Sequence, residues 1–126
     1  MIDGRAPARM TALILAMALA VAAAAPAARA ASAANRGRQI FDTRCVFCHG
    51  TGLGHPAWQM LALKRGKDKA EILGRPDLTP AYIKHVVRNG LIEMPPFRPS
   101  EISDSELDAL ANYVINPNAS ADTKRP

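Results

Sequence analysis

Apolar positions along this chain recur mostly at helical spacing, and no stretch alternates in the manner of a strand. A first amphipathic segment begins near Ala33 or Ala34 and runs toward Cys45, with Gly37, Ile40, Phe41 and Arg44 at i, i+3, i+4 and i+7. Glycine inside a helix costs about 1 kcal/mol against alanine, so Gly37 suggests close approach by another helix. The run from Gly50 to Pro56 reads as a glycine-rich turn. Pro56 to Leu63 predicts a short helix holding the only tryptophan, Trp58, with Met60 packed in the core. Lys64 to Lys69 then breaks the apolar pattern and reads as a solvated loop.

Two later helices carry clear end signals. Thr79-Pro80 offers a capping hydroxyl and then a proline at the first helical position; Tyr82, Ile83, Val86 and Val87 form the apolar stripe, and Asn89-Gly90 ends it. Ser103 and Glu106 make a capping box, and Asp104 and Glu106 suit the positive end of the helix dipole. Leu107, Leu110, Ala111 and Val114 line one face with Tyr113 beside them, and Asn116-Pro117 stops the helix. The expected fold is all-α, with three to five short helices in one domain spanning residues 31–117. Residues 118–126 read as a polar tail.

The start of the chain follows a different pattern. Arg5 and Arg9 precede an uninterrupted apolar run from Ala12 to Ala25; Pro26 ends it, and Ala28-Arg29-Ala30 follows. A membrane span needs about 20 apolar residues, which this run does not reach. Charged, apolar and small in that order is a cleaved export signal, here residues 1–30, with an uncleaved anchor as the alternative. The expected location is a bacterial periplasm, with no stable membrane span after cleavage.

Removing that segment takes away Arg5, Arg9 and Arg29 against Asp3, so the formal charge falls from +5 on 126 residues to +3 on 96. No basic stripe with a stacking or groove-reading element is present, and nucleic-acid binding is excluded. A core this small often depends on a disulfide, a metal or a cofactor.

The two cysteines, Cys45 and Cys48, both fall in Cys45-Val46-Phe47-Cys48-His49. This is C-x-x-C-H, the attachment signature of c-type haem. Two thiols on one turn can each add across a haem vinyl group, and the adjacent His49 can then coordinate the iron. Other readings weigh less. A redox disulfide expects a βαβ context that is absent here. A zinc site recruiting His55 would need its Cys and His pairs set about a dozen residues apart. A structural disulfide across so short a loop stabilises little.

A second axial ligand is expected from Met94, in Glu93-Met94-Pro95-Pro96-Phe97, where two prolines stiffen the backbone and lower the entropy lost on ligation. His55 is tethered too close to His49 to reach the opposite face, and His85 reads as a surface residue in mid-helix.

An export signal, an early C-x-x-C-H, Met94 on a proline-stiffened loop and a closing amphipathic helix resemble a class I cytochrome c. The resemblance implies the small cytochrome c fold, helices wrapped around one covalently attached haem c. It implies contact of Gly37 and Phe41 with the region from Leu110 to Val114, and a Pro56 carbonyl orienting His49. Trp58 and Arg75 are candidates to hold a haem propionate. Leu78 to Gly90, then Met94-Pro95-Pro96-Phe97 and Ile102-Ser103-Asp104, is similar to the cytochrome subunit of p-cresol methylhydroxylase-type flavocytochromes, with a departure between Trp58 and Pro76.

That likeness implies an electron carrier, cycling between Fe(II) and Fe(III), that does no bond-making chemistry. Its donor would be a flavoprotein subunit acting on a 4-alkylphenol, and its acceptor a downstream cytochrome or copper protein. Ionised propionates would bring the mature charge near +1, giving mild salt dependence unless Lys64 to Lys69 docks an acidic partner. The alternatives are a free-standing carrier for another respiratory dehydrogenase or oxidase, a haem ligand sensor or peroxidase-like enzyme with an open sixth position, and a thiol oxidoreductase.

Overall fold

Helix α1, residues 32–49, opens the computed structural model, which describes residues 32–120. The expected export segment and the last residues of the expected tail lie outside the described residues. Helix α1 is α-helical over 32–40, passes through a π-helical turn at Phe41–Cys45, and ends α-helical at Val46–His49. The π turn is closed by the Val46 N–H donating to the Phe41 carbonyl. Such a turn inserts one extra residue and re-aims everything after it, here the Cys45 to His49 segment.

Helix α2 spans Pro56–Arg65 with proline in its first turn, and it ends at Gly66, whose φ of 94° is a conformation open to glycine. A short 3₁₀ turn, Lys67–Lys69, follows. Helix α3, Pro80–Asn89, starts where the Thr79 hydroxyl accepts from the Tyr82 N–H at 3.2 Å, and it ends at Gly90. Helix α4, Asp104–Ile115, starts with the full Ser103–Glu106 capping box and ends at Asn116. A 3₁₀ turn at Pro117–Ser120 comes last. Among the described residues the single strand-like pairing is an isolated bridge between Leu91 and Met94. The all-α expectation is met.

The core lies where α1, α3 and α4 meet. Ile40 and Phe41 come from α1, Ile83 and Val87 from α3, and Leu107, Leu110, Ala111, Tyr113 and Val114 from α4, with Ile102 beneath the last cap. Gly37 is buried against α4: a Cβ there would lie 2.7 Å from both the Ala109 carbonyl carbon and the Tyr113 Cβ. Only glycine allows this approach. Ion pairs span the same helices, Arg36 to Glu106, Lys84 to Asp108 at 2.8 Å and Arg88 to Asp104 at 2.7 Å. Exposed pairs of this kind add at most about 1 kcal/mol each.

Three local expectations need correction. Tyr82 is 48% exposed, because the stripe of α3 faces α4 through Ile83 and Val87 alone. Met60 is 37% exposed rather than in the core; α2 packs on the end of α1 and the following turn, and buries no residue fully. Lys64 to Lys69 is not a loop. It is the last turn of α2, Gly66 and the 3₁₀ turn, although Lys64, Arg65, Lys67 and Asp68 are exposed as expected. No helix among the described residues is long and apolar enough to cross a membrane.

Candidate haem site

The end of α1 presents Cys45, Cys48 and His49 at i, i+3 and i+4, the spacing that brings side chains to one helix face. Both cysteines are free thiols, Cys45 half-buried against the core and Cys48 exposed. Burial, and then the neighbouring Cys48, push the Cys45 thiol up to about 11. Thiol-exchange enzymes instead depress their attacking thiol, so this environment is a poor one for that chemistry.

His49 is half-buried, and burial lowers its pKa while the charge of Glu71 opposes that shift. The imidazole is thereby favoured in the neutral form that metal ligation requires. Its Nδ1 is buried and has no hydrogen-bond partner. The expected Pro56 carbonyl does not bond it; Pro56 stands in the first turn of α2, behind its N-cap residue His55.

The turn after His49 is held by side chains. His55 Nδ1 lies 3.1 Å from the Phe47 carbonyl, and its ring covers Gly50, where a Cβ would come within 2.6 Å of Nδ1. Gly50 leaves the helix in an extended conformation, so Phe47 is one of the terminal carbonyls that lack a helical donor. His55 supplies that donor from eight residues away. The Thr51 hydroxyl donates to the Glu71 carboxylate.

Met94 sits on a loop closed at both ends. The Leu91 N–H donates to the Met94 carbonyl at 3.0 Å, and the Met94 N–H returns a bond to Leu91 at 2.9 Å. Farther on, the Phe97 N–H donates to the Val87 carbonyl at 2.8 Å, and Arg88 donates to the Phe97 carbonyl at 3.1 Å. The cost is at Ile92, a β-branched residue at φ 54°. Met94 is half-buried and packs on the same apolar cluster as Cys45, together with Ile72, Leu73, Leu78 and Phe97.

Of the remaining candidates, Trp58 has a buried indole N–H without an acceptor. The Arg75 guanidinium is already engaged, by Asp77 at 2.8 Å and the Lys69 carbonyl at 2.6 Å. That bond from Arg75 also pulls the Asp77 carboxyl below its usual range. His85 lies on the exposed face of α3 beside Asn89. The residues present fit a haem: two thiols on one helical turn, a neutral imidazole, a thioether on a fixed loop, and an indole donor that lacks an anion to bond.

Residues 32–114 match the family model described as "Cytochrome C oxidase, cbb3-type, subunit III". The chain belongs to this family of cytochromes c. Relatives agree at low identity. It is 33% identical over 81 residues to a cytochrome c6 from Cyanidium caldarium, covering 64% of this chain and 67% of that one. It is 31% identical over 78 residues to the cytochrome c subunit of 4-cresol dehydrogenase [hydroxylating] from Pseudomonas putida, covering 62% of this chain and 57% of that one. The chain therefore spans little more than half the length of the second relative. No solved structure matches it at a significant level. This cytochrome c is an electron carrier, and haem c is the cofactor its family implies.

Proposed function

We propose that this chain is an exported, periplasmic cytochrome with one covalent haem c, and that it takes single electrons from a flavoprotein that oxidises a 4-alkylphenol-type substrate. Cys45 and Cys48 would hold the porphyrin by thioether bonds, and His49 and Met94 would ligate its iron. When bound, the haem supplies a one-electron Fe(II)/Fe(III) couple whose potential a methionine ligand raises. That Cys45 and Met94 both pack against one apolar cluster is the observation that carries the reading.

The protein's own residues do the rest. The π turn aims Cys45, Cys48 and His49 together, and His55 fixes the helix end that bears them. The paired bonds between Leu91 and Met94 hold the thioether's backbone in place before and after electron transfer, which keeps reorganisation small. Trp58 offers its unpartnered N–H to a propionate. Arg75 serves the fold through Asp77 and the Lys69 carbonyl, leaving Trp58 the stronger anchor. The domain comprises residues 31–117, preceded by a signal peptide at 1–30 and followed by a polar tail.

The flavoprotein partner is supported by the cresol dehydrogenase subunit among the relatives. Its test is affinity purification of the tagged holoprotein from periplasmic extract. Co-elution of a flavin-containing protein whose flavin reduces this haem on adding a 4-alkylphenol is the expected result. Co-elution with a flavin-free dehydrogenase or an oxidase moves the assignment to a general respiratory carrier. For the ligand set, Met94→Ala lowers the potential and lets the reduced protein bind carbon monoxide; an unchanged potential places the sixth ligand elsewhere.

A further inference from the structure

Thr51, two residues beyond His49, ties the turn to a distant segment through Glu71. The second carboxylate oxygen of Glu71 accepts from the Leu73 N–H at 3.4 Å, so both oxygens are engaged by neutral donors. Glu71 is half-buried, and none of the ion pairs among the described residues includes it. The nearby Arg75 in sequence offers no counter-charge, being paired with Asp77. A negative charge is thus left without a cation partner beside the turn that follows His49. The hydrogen bond from Thr51 sets this charge beside the turn that leaves His49.

We infer that Glu71 is a positioning residue of the redox centre: held through Thr51 against the turn that follows His49, its carboxylate favours the oxidised state and keeps the reduction potential down. The inference rests on the reading above, in which His49 ligates the iron. Reduction removes one positive charge from the centre, so a fixed anion nearby stabilises the oxidised form more than the reduced one. Groups outside the ligand set tune a bound metal in this way without touching it. Thr51 matters because its hydrogen bond holds the carboxylate against the turn that follows His49.

The test is potentiometric titration of the holoprotein at neutral pH and low ionic strength. Glu71→Gln keeps an acceptor for Thr51 and nearly the same volume while removing the charge. It shifts the reduction equilibrium toward the ferrous form severalfold, and up to about tenfold, which for one electron is ~59 mV. Thr51→Val gives a smaller shift in the same direction. A Glu71→Gln protein with wild-type absorption and an unchanged potential overturns the inference, even if its denaturation midpoint moves, since that outcome marks a structural role. If Glu71→Gln does not fold, Thr51→Val decides alone, and an unchanged potential in it is equally fatal. Failure of the parent reading looks different: His49→Ala would then retain the wild-type absorption spectrum.

Discussion

Phe41 and Tyr113 pack their rings 5.8 Å apart at a 58° tilt, joining α1 to α4 one turn ahead of Cys45. Tilted pairs at this separation contribute about 0.5–1.5 kcal/mol beyond the area they bury. Because Phe41 also opens the π turn, the same contact that anchors α1 sets the starting point of the segment carrying Cys45, Cys48 and His49. Fold stability and the geometry of the site share this one crossing.

Enlarging Gly37 therefore disturbs both. A Cβ at 37 meets backbone of Ala109, which cannot move as a side chain can. Gly37→Val should destabilise the protein by about 1–3 kcal/mol, the range for overpacking, despite valine's better helix propensity. Urea denaturation measures the loss, and haem yield should fall with it. A stability equal to wild type contradicts the crossing described.

Acid sensitivity should concentrate at the start of α4. Glu106 accepts from the Ser103 N–H at 2.8 Å and the Ser103 hydroxyl at 2.9 Å, and it pairs with Arg36; together these pull its pKa from 4.5 to about 2. A carboxyl depressed in the folded state contributes stability that is complete above 4.5 and is lost as pH falls toward 2. Glu106→Gln should flatten the denaturation midpoint across that window while leaving other acid effects intact. Ser103→Ala should cost about 1 kcal/mol at neutral pH by removing the cap.

Ile92 invites the opposite result. It is 90% exposed at φ 54°, so its side chain contributes little packing while its backbone is strained. Relief of roughly 1–2 kcal/mol, less about 0.5–1 for the entropy of glycine, makes Ile92→Gly neutral to about 1.5 kcal/mol stabilising. Loss of more than that range in a denaturant titration would show that the side chain holds the Met94 loop.

The helix caps are legible in the sequence because capping is local chemistry: Thr79 with Pro80, and Ser103 with Glu106, carry their own partners within three residues. Gly37 is legible as a misfit, a poor helix former whose only recompense is the close approach to Ala109. The π turn has no such signature, since Phe41 to Cys45 looks like any helical segment until the i+5 bond is seen. Met60 and Tyr82 depend on which neighbour covers them, and that is a property of packing. His55 and Glu71 join the site through bonds across eight and twenty residues, beyond any local pattern, although an unexpected histidine beside Pro56 is a visible oddity. Arg75 reads as a candidate propionate anchor in sequence, yet is tied to Asp77 two residues on.

The most direct test is the intact mass of the chain, produced in a host with an active haem-ligation pathway and measured after unfolding in acid. The account predicts a chain heavier by one haem, whose colour stays with the polypeptide and is lost together with the added mass when Cys45 and Cys48 are both replaced by alanine. A colourless chain of unmodified mass, or a haem that separates on unfolding, contradicts it.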